Sequence, residues 1–278
     1  NKIAKFLISS ILSSPITLQD FHAKALADYG IADLWPEAVL KEAKTKEEHL
    51  AKEIDVLETF PFVTIDGEDA KDFDDAIFCE FSDHGFHLKV AIADVSFYVK
   101  EGSALDLEAA KRTTSVYMPR KVVPMLPEKL SNELCSLQPN KRRRCLCIEM
   151  DFDKDGYINS YKFHRGIIKS VARLTYTEVE NQLINGVKDS NYAESLKAAI
   201  ALFNKLIINK GYRGALDFTI SEPLVQTNSD GDIKHIADRK RLNSHKLIEE
   251  FMLAANISAA DFISQYAKEG VYRIHEHP

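Results

Sequence analysis

Phe62-Val63-Thr64-Ile65-Asp66-Gly67-Glu68-Asp69-Ala70-Lys71-Asp72-Phe73-Asp74-Asp75-Ala76-Ile77 is the stretch around which the rest of this chain is organised. Six acids fall between Asp66 and Asp75, with Lys71 the single base among them. Apolar runs close the stretch on both sides, so the acids lie between two pieces of core and not on a solvated tail. Carboxylates held this close raise one another's pKa unless a cation sits among them. A hard divalent ion, which prefers oxygen ligands, is the natural candidate. The spacing nominates Asp66, Asp72, Asp74 and Asp75 as ligands. Adjacent Asp74 and Asp75 would point opposite ways in a strand, so convergence requires a bent loop, with Gly67 and Ala70 easing the bend. A solvated acidic loop is the competing reading, and Asp72-Phe73-Asp74 also fits the short D-x-D signature of phosphatases and nucleotidyltransferases.

Working outward, residues 62–65 and 76–81 read as strands flanking the loop. Asp83-His84-Gly85 is a turn signal, and residues 86–92 resume as a strand. Ser103 with Asp106 three residues on marks a helix start, running to about residue 112. Pro119, Pro124 and Pro127 punctuate an extended loop, and Ser131 opens a short helix. Residues 144–152 and 157–168 form a long hairpin around Asp153-Lys154-Asp155-Gly156. Residues 192–212 carry helical apolar spacing. Residues 224–226 and 233–237 form a second hairpin across Ser229-Asp230-Gly231. Leu247, Phe251, Ala254 and Ala255 recur at three- and four-residue steps, which predicts a helix over 243–266. Residues 1–58 read as a helical and linking segment, with Pro36 in a first helical turn, and residues 59–278 as one domain. Strands and helices without regular βαβ alternation predict an α+β fold: a mixed, largely antiparallel sheet packed with helices.

The composition is that of an ordinary folded protein, 45% hydrophobic and 28% charged. A formal net charge of −6 excludes a surface basic throughout while leaving room for a basic groove. No apolar run approaches the roughly 18 residues that span a bilayer, so no membrane association is expected. Cys79, Cys135, Cys145 and Cys147 sit inside apolar patterns without a C-x-x-C pair; they read as buried, reduced thiols of a cytoplasmic protein, with no disulfide.

Two features invite over-reading. Asp151-Phe152-Asp153-Lys154-Asp155-Gly156-Tyr157-Ile158 matches the first half of a calcium loop, but Lys162 stands where the closing Glu belongs, and the flanks are strands. A solvated turn is expected. The basic clusters Lys141-Arg142-Arg143-Arg144 and Arg239-Lys240-Arg241 read as solvated surface, with salt-sensitive phosphate contacts the alternative.

Beyond the acidic stretch, the chain carries Val90-Ala91-Ile92-Ala93-Asp94-Val95-Ser96, then Thr114-Ser115-Val116-Tyr117-Met118-Pro119, then Val123-Pro124-Met125-Leu126-Pro127-Glu128-Lys129-Leu130-Ser131-Asn132. Ala172-Arg173-Leu174-Thr175-Tyr176 and His245-Lys246-Leu247-Ile248-Glu249-Glu250 follow in order. Together these resemble the catalytic domain of the ribonuclease II and ribonuclease R family, in detail nearest its ribonuclease R branch. The resemblance implies a processive, hydrolytic 3′→5′ exoribonuclease acting on single-stranded or structured RNA and releasing nucleoside 5′-monophosphates. It implies Mg2+, or alternatively Mn2+, held by Asp66, Asp72, Asp74 and Asp75, with Asp74 and Asp75 catalytic. Tyr117 would stack near the 3′-terminal base with Phe218 as its clamp partner, and Tyr176 and Glu250 would recognise the ribose, Glu249 being the adjacent alternative. The resemblance stops part-way through that domain: nothing matches the family's later Ser-Pro-x-Arg-Arg type segment, and the flanking RNA-binding domains are missing. We therefore expect a fragment with little or no nuclease activity by itself. The alternative is a non-catalytic RNA-binding module using the same aromatic and basic residues.

Overall fold

A computed structural model describes residues 17–47, 55–214, 223–228, 233–238, 240–267, 269–272 and 274 of the chain. They fall into two compact units. The first gathers the described residues of Asn1–Thr45, Val99–Pro127 and Thr219–Lys240; the second gathers those of Lys46–Tyr98, Glu128–Phe218 and Arg241–Pro278.

The second unit is built on a seven-stranded sheet. Its strands are β1 (Asp55–Val56), β2 (Val63–Asp66), β3 (Asp75–Ser82), β4 (Gly85–Ala93), β7 (Arg142–Asp153), β8 (Ile158–Lys169) and β9 (Ala172–Thr175), in the order β1-β8-β7-β4-β3-β2-β9. The central pairs are antiparallel, and β1–β8 and β2–β9 at the two edges are parallel. The expected mixed, largely antiparallel α+β architecture is what forms. Strand alternation sorts the two faces. Leu88, Val90, Ile148 and Met150 point to a core closed by three helices, here named α5 (Tyr176–Asn185), α6 (Ala193–Tyr212) and α7 (Asn243–Tyr266). α7 has the expected bounds, and its buried stripe of Leu247, Phe251, Ala254, Ala255 and Ser258 follows the helical period.

The opposite face carries polar residues at the alternate positions. Lys89 is buried there and bonds Glu149 at 2.6 Å. His87 and His164 reach the same carboxylate at 3.1 and 2.9 Å. A short helix, α3 (Val95–Tyr98), follows β4.

The first unit contains α1 (Leu18–Asp28), α2 (Glu37–Thr45), α4 (Ala104–Arg112), the hairpin β5 (Val116–Met118)–β6 (Lys121–Val123) and the hairpin β10 (Pro223–Thr227)–β11 (Ile233–Asp238). Ser103 caps α4 by accepting from the Asp106 amide at 3.3 Å. Arg112 packs 3.6 Å over Trp35 and donates to the Leu34 carbonyl at 2.8 Å.

Four expectations change. The proline-punctuated stretch is not simply an extended loop, because Pro119 sits in the tight turn between β5 and β6, with Arg120 at φ 60°. The short helix expected from Ser131 is a π-helical turn, Lys129–Leu134, beginning two residues earlier. Gly67 has no positive φ, and a Cβ there would meet nothing within 4 Å, so the acidic loop does not depend on glycine.

The basic run at the start of β7 is only half solvated: Lys141 and Arg142 are exposed, and the next two residues are not. Arg143 and Arg144 are 6% and 4% exposed. Arg143 donates to the Glu133 and Ser136 carbonyls, Arg144 stacks 3.7 Å over Phe97, and Arg142 pairs with Glu58. In the second run Arg241 pairs with Glu249, and Arg239 lies outside the described residues.

The Asp153–Gly156 turn is local structure, as expected. Asp153 Oδ1 accepts from the amides of Asp155 and Tyr157, both at 2.9 Å, an arrangement that closes the turn locally. Gly156 is required at φ 86°, where a Cβ would lie 2.8 Å from Lys205.

Candidate active site

Parallel pairing of β2 with β9 puts Asp66 opposite Thr175. Thr175 caps α5 reciprocally: its Oγ1 accepts from the Glu178 amide at 3.1 Å, and its own amide donates to Glu178 Oε2 at 2.7 Å. Tyr176, the first residue of α5, is thereby fixed beside the end of β2. On the other side, pairing of Val63 with Ile77 brings the start of β3, Asp75, back alongside the same strand end. The Asp74 carbonyl accepts from the Ala93 amide at 2.9 Å, which anchors the end of the loop to β4.

The loop between β2 and β3 is pinned from two directions. The buried Ser136 hydroxyl accepts from the Phe73 amide at 3.1 Å and donates to the Lys71 carbonyl at 2.8 Å, and the Leu137 amide donates to the Phe73 carbonyl at 2.8 Å. From β9, Arg173 donates to the Gly67 and Glu68 carbonyls, and the Thr177 hydroxyl donates to Glu68. An acidic loop held this tightly cannot relax its charges apart by moving its backbone.

The electrostatics follow. Burial first, and then Asp75, push the Asp66 carboxyl up to about 7, against the opposing pull of the Thr64 hydroxyl and Arg173. Its Oδ2 is enclosed without a hydrogen bond of ordinary geometry. Burial and Asp74 push Asp75 up to about 6, and burial and Asp72 raise Asp74. The Tyr176 phenol is pushed up to about 12, by burial first and then by Asp75 and Asp66. Asp66, Asp74, Asp75 and Tyr176 thus form one interacting group, with Asp72 joined through Asp74. The donors are hard oxygens, and the buried, unbonded Asp66 oxygen is what an ion such as Mg2+ would satisfy. Among the described residues, however, no three Asp, Glu, His or Cys side chains close into a preformed metal cage. Mutual repulsion of the kind that raises these pKa values also holds carboxylates apart.

The other nominated residues are distributed as follows. Glu250, on α7, is 3% exposed and not a solvated helix charge; Lys210 lies 3.1 Å and Arg213 3.5 Å from its carboxylate. Glu249, half-exposed, faces Arg241 and, at 3.4 Å, Lys210. Tyr117 belongs to the first unit, on β5, with 65% of its surface exposed. Phe218 lies outside the described residues. Sequence reasoning missed Ser136, Thr177 and Arg173 as loop anchors and His245 as the ring stacked on Tyr176. Arg173 and His245 stand inside the motifs quoted above, whereas Ser136 has no local signal.

The site is thus a group of carboxylates held at the ends of β2 and β3 in a mixed α+β sheet. The RNB domain family matches residues 54–278, and the chain belongs to that family. It is 44% identical over 266 residues to ribonuclease R of Escherichia coli (strain K12), covering 91% of this chain and 32% of that protein. To ribonuclease R of Thermotoga maritima it is 42% identical over 255 residues, 88% of this chain and 36% of the relative. The chain therefore spans about a third of the length of these curated relatives.

Among solved structures, Mycoplasma genitalium RNase R in complex with ribose methylated single-stranded RNA superposes with a TM-score of 0.81 at 32% identity, over 86% of this chain and 38% of that one. The same enzyme in complex with double-stranded RNA gives a TM-score of 0.82 at 32% identity, over 86% and 44% of the two chains. Yeast Ssd1, a pseudonuclease, shares the fold at a TM-score of 0.60 and 21% identity, over 75% of this chain and 25% of that one. No helix among the described residues is long and apolar enough to cross a membrane, and the four cysteines are free and buried.

Proposed function

We propose that this chain is the carboxylate-bearing part of a Mg2+-dependent, hydrolytic 3′→5′ exoribonuclease that works in the cytoplasm and releases nucleoside 5′-monophosphates. The observation that carries the reading is the group formed by Asp66, Asp74 and Asp75, brought together at the two ends of a pinned loop with their pKa values raised, although Asp66 and Asp75 are only partly buried and Asp74 is exposed. Such strain is unfavourable in a structural loop and useful where a cation and a phosphate must be brought together. Asp66, Asp72, Asp74 and Asp75 would hold the ion, with Asp74 and Asp75 nearest the reacting phosphate. Mg2+ bound there would neutralise the carboxylates and polarise a phosphoryl oxygen; Mn2+ could serve in its place.

The remaining residues bind and orient RNA. The Tyr176 phenol, with its pKa raised, keeps its proton at neutral pH and can donate to a ribose or phosphate oxygen. Glu250, ion-paired with Lys210, is suited to accept from a 2′-hydroxyl, the group that distinguishes RNA from DNA. Tyr117 and Phe218 would stack on bases, a contact that tolerates any sequence. The relative solved with single-stranded and with double-stranded RNA supports both kinds of substrate here. Because the arginine-bearing segment expected from the family is not in this sequence, the 278-residue chain alone should turn over RNA little if at all.

A second reading, a non-catalytic RNA-binding module, is favoured by the lack of a preformed cage among the described carboxylates. One experiment separates the two. The full-length parent is incubated with end-labelled single-stranded RNA and Mg2+, with and without Asp74→Asn. Mononucleotide release that the substitution abolishes, with RNA affinity retained, supports the enzyme. Undiminished binding without turnover in the unsubstituted protein overturns it.

A further inference from the structure

We propose that His245 is a positioning residue for Tyr176, holding the phenol ring in the orientation that meets a 3′-terminal ribose. The proposal rests on the ribose role assigned to Tyr176 above.

The two rings stack with centroids 4.0 Å apart and planes 19° from parallel. They come from different helices, and the helices are clasped where the rings meet. The Ser244 hydroxyl donates to the Tyr176 carbonyl at 2.8 Å. The Ser244 amide and the Asn243 side chain donate to Glu180 at 2.9 and 3.2 Å. The Tyr176 backbone is therefore fixed twice, by its own cap at Thr175 and by the first turn of α7.

The ring is a separate matter. Among the described residues nothing hydrogen-bonds the Tyr176 hydroxyl, so its polar end does not set the torsion angle about Cβ–Cγ. The half-buried ring lies beside Asp66 and Asp75, where a rotation would redirect the hydroxyl relative to both. What lies flat on the ring is His245. The imidazole is itself immobilised, because Nδ1 accepts from the Leu242 amide at 3.1 Å. That bond leaves the ring proton on Nε2, and it ties the ring to the start of α7. One face of Tyr176 is thus braced by the His245 imidazole.

Two roles for His245 make opposite predictions. As a brace it needs a flat ring and can dispense with Nδ1; as a helix cap it needs an acceptor and can dispense with the ring. His245→Phe keeps the first, and His245→Asn keeps the second. The Tyr176 ring resonances of the 278-residue chain, assigned with Tyr176→Phe, provide the readout. His245→Ala and His245→Asn should move them by removing the ring current of the stacked neighbour, and His245→Phe should leave them shielded. Unmoved resonances in His245→Ala, or restoration by Asn and not by Phe, overturn the proposal. Should His245→Ala fail to fold, the Phe and Asn variants decide alone.

The second readout is the preference of the chain, with Mg2+ present, for a short oligonucleotide ending in ribose over the same one ending in 2′-deoxyribose. His245→Ala should reduce that preference about three- to tenfold, the range expected for one aromatic pair, and should add nothing in a Tyr176→Ala background. An equal loss in that background shows a general structural effect and overturns the proposal. If Tyr176→Ala leaves the preference intact, or the unsubstituted chain binds neither oligonucleotide, the ribose reading of Tyr176 fails. The ring resonances then still decide whether His245 positions the ring.

Discussion

Asp66→Asn should stabilise the metal-free chain at pH 8 and remove its stabilisation by Mg2+. The Asp66 carboxyl is raised from an ordinary 3.8 to about 7, first by burial and then by Asp75. Each unit is worth about 1.4 kcal/mol, so the full shift sets a ceiling of about 4 kcal/mol on the penalty for ionising it in the fold. The carboxylate is only partly buried and shares its repulsion with Asp75, so solvent screening brings the expected gain to about 2 kcal/mol. For a chain of this size that is a rise in Tm of about 4–8 °C.

The sign follows from proton binding. The folded pKa is the higher one, so between about pH 4 and 7 the folded state holds a proton that the unfolded state has released, and stability falls as pH rises through that window. The advantage of the Asn variant should therefore be full at pH 8, smaller at pH 5 and absent near pH 4. Thermal or urea unfolding of both proteins at those pH values, with and without Mg2+, measures it; the difference between the two cancels the contributions of groups that do not interact with Asp66. A variant less stable than the parent chain at pH 8 without metal, or one still stabilised by Mg2+ as strongly as the parent chain, would refute the placement of Asp66 in a strained cation site.

Three further outcomes are expected. Ser136→Ala deprives the buried Phe73 amide of its acceptor and should destabilise by about 1–3 kcal/mol; it should also weaken Mg2+ binding in a calorimetric titration, and unchanged affinity would show that the loop does not need this anchor. Lys89→Met leaves Glu149, on the far face of the sheet, without its 2.6 Å ion-pair partner and should lose about 3 kcal/mol in urea unfolding, whereas a neutral result would mean that His87 and His164 suffice. Burial pushes the Cys135 and Cys147 thiols up to about 12 and Cys79 and Cys145 higher still, so a thiol reagent at pH 8 should label none of the four until denaturant is added; rapid labelling of any one in the folded chain would contradict its burial.

The legible elements were those whose pattern is local and long. The α7 stripe runs over several turns, and the β7–β8 hairpin alternates around a turn that closes itself through Asp153. What misled was chemistry read without its partners. Arg143 and Arg144 read as solvated surface in the sequence, yet their guanidinium groups are taken up by carbonyls of the π-helical turn region and by Phe97. The sequence leaves Glu249 and Glu250 as adjacent alternatives, and only the packing of α7 shows which of the two is enclosed with Lys210. The β5–β6 turn was hidden because Pro119 suits an extended segment and a turn equally well.

By itself the sequence determined where the acids crowd: a set of Asp on and beside a loop between two strands, in an α+β chain of the RNB family. Crowding of like charges is a property of spacing, and spacing is written in the chain. The tertiary structure alone decided that Asp66, Asp75 and Tyr176 meet, because β3 brings Asp75 to the end of β2 while a parallel pairing of β2 with β9, which no local pattern encodes, brings Tyr176. It also decided that the loop is clamped by Ser136 and Arg173, and that Tyr176 is braced by His245. Hydrogen bonds and ring contacts between segments far apart in the chain leave no periodicity behind, so only the folded coordinates reveal them.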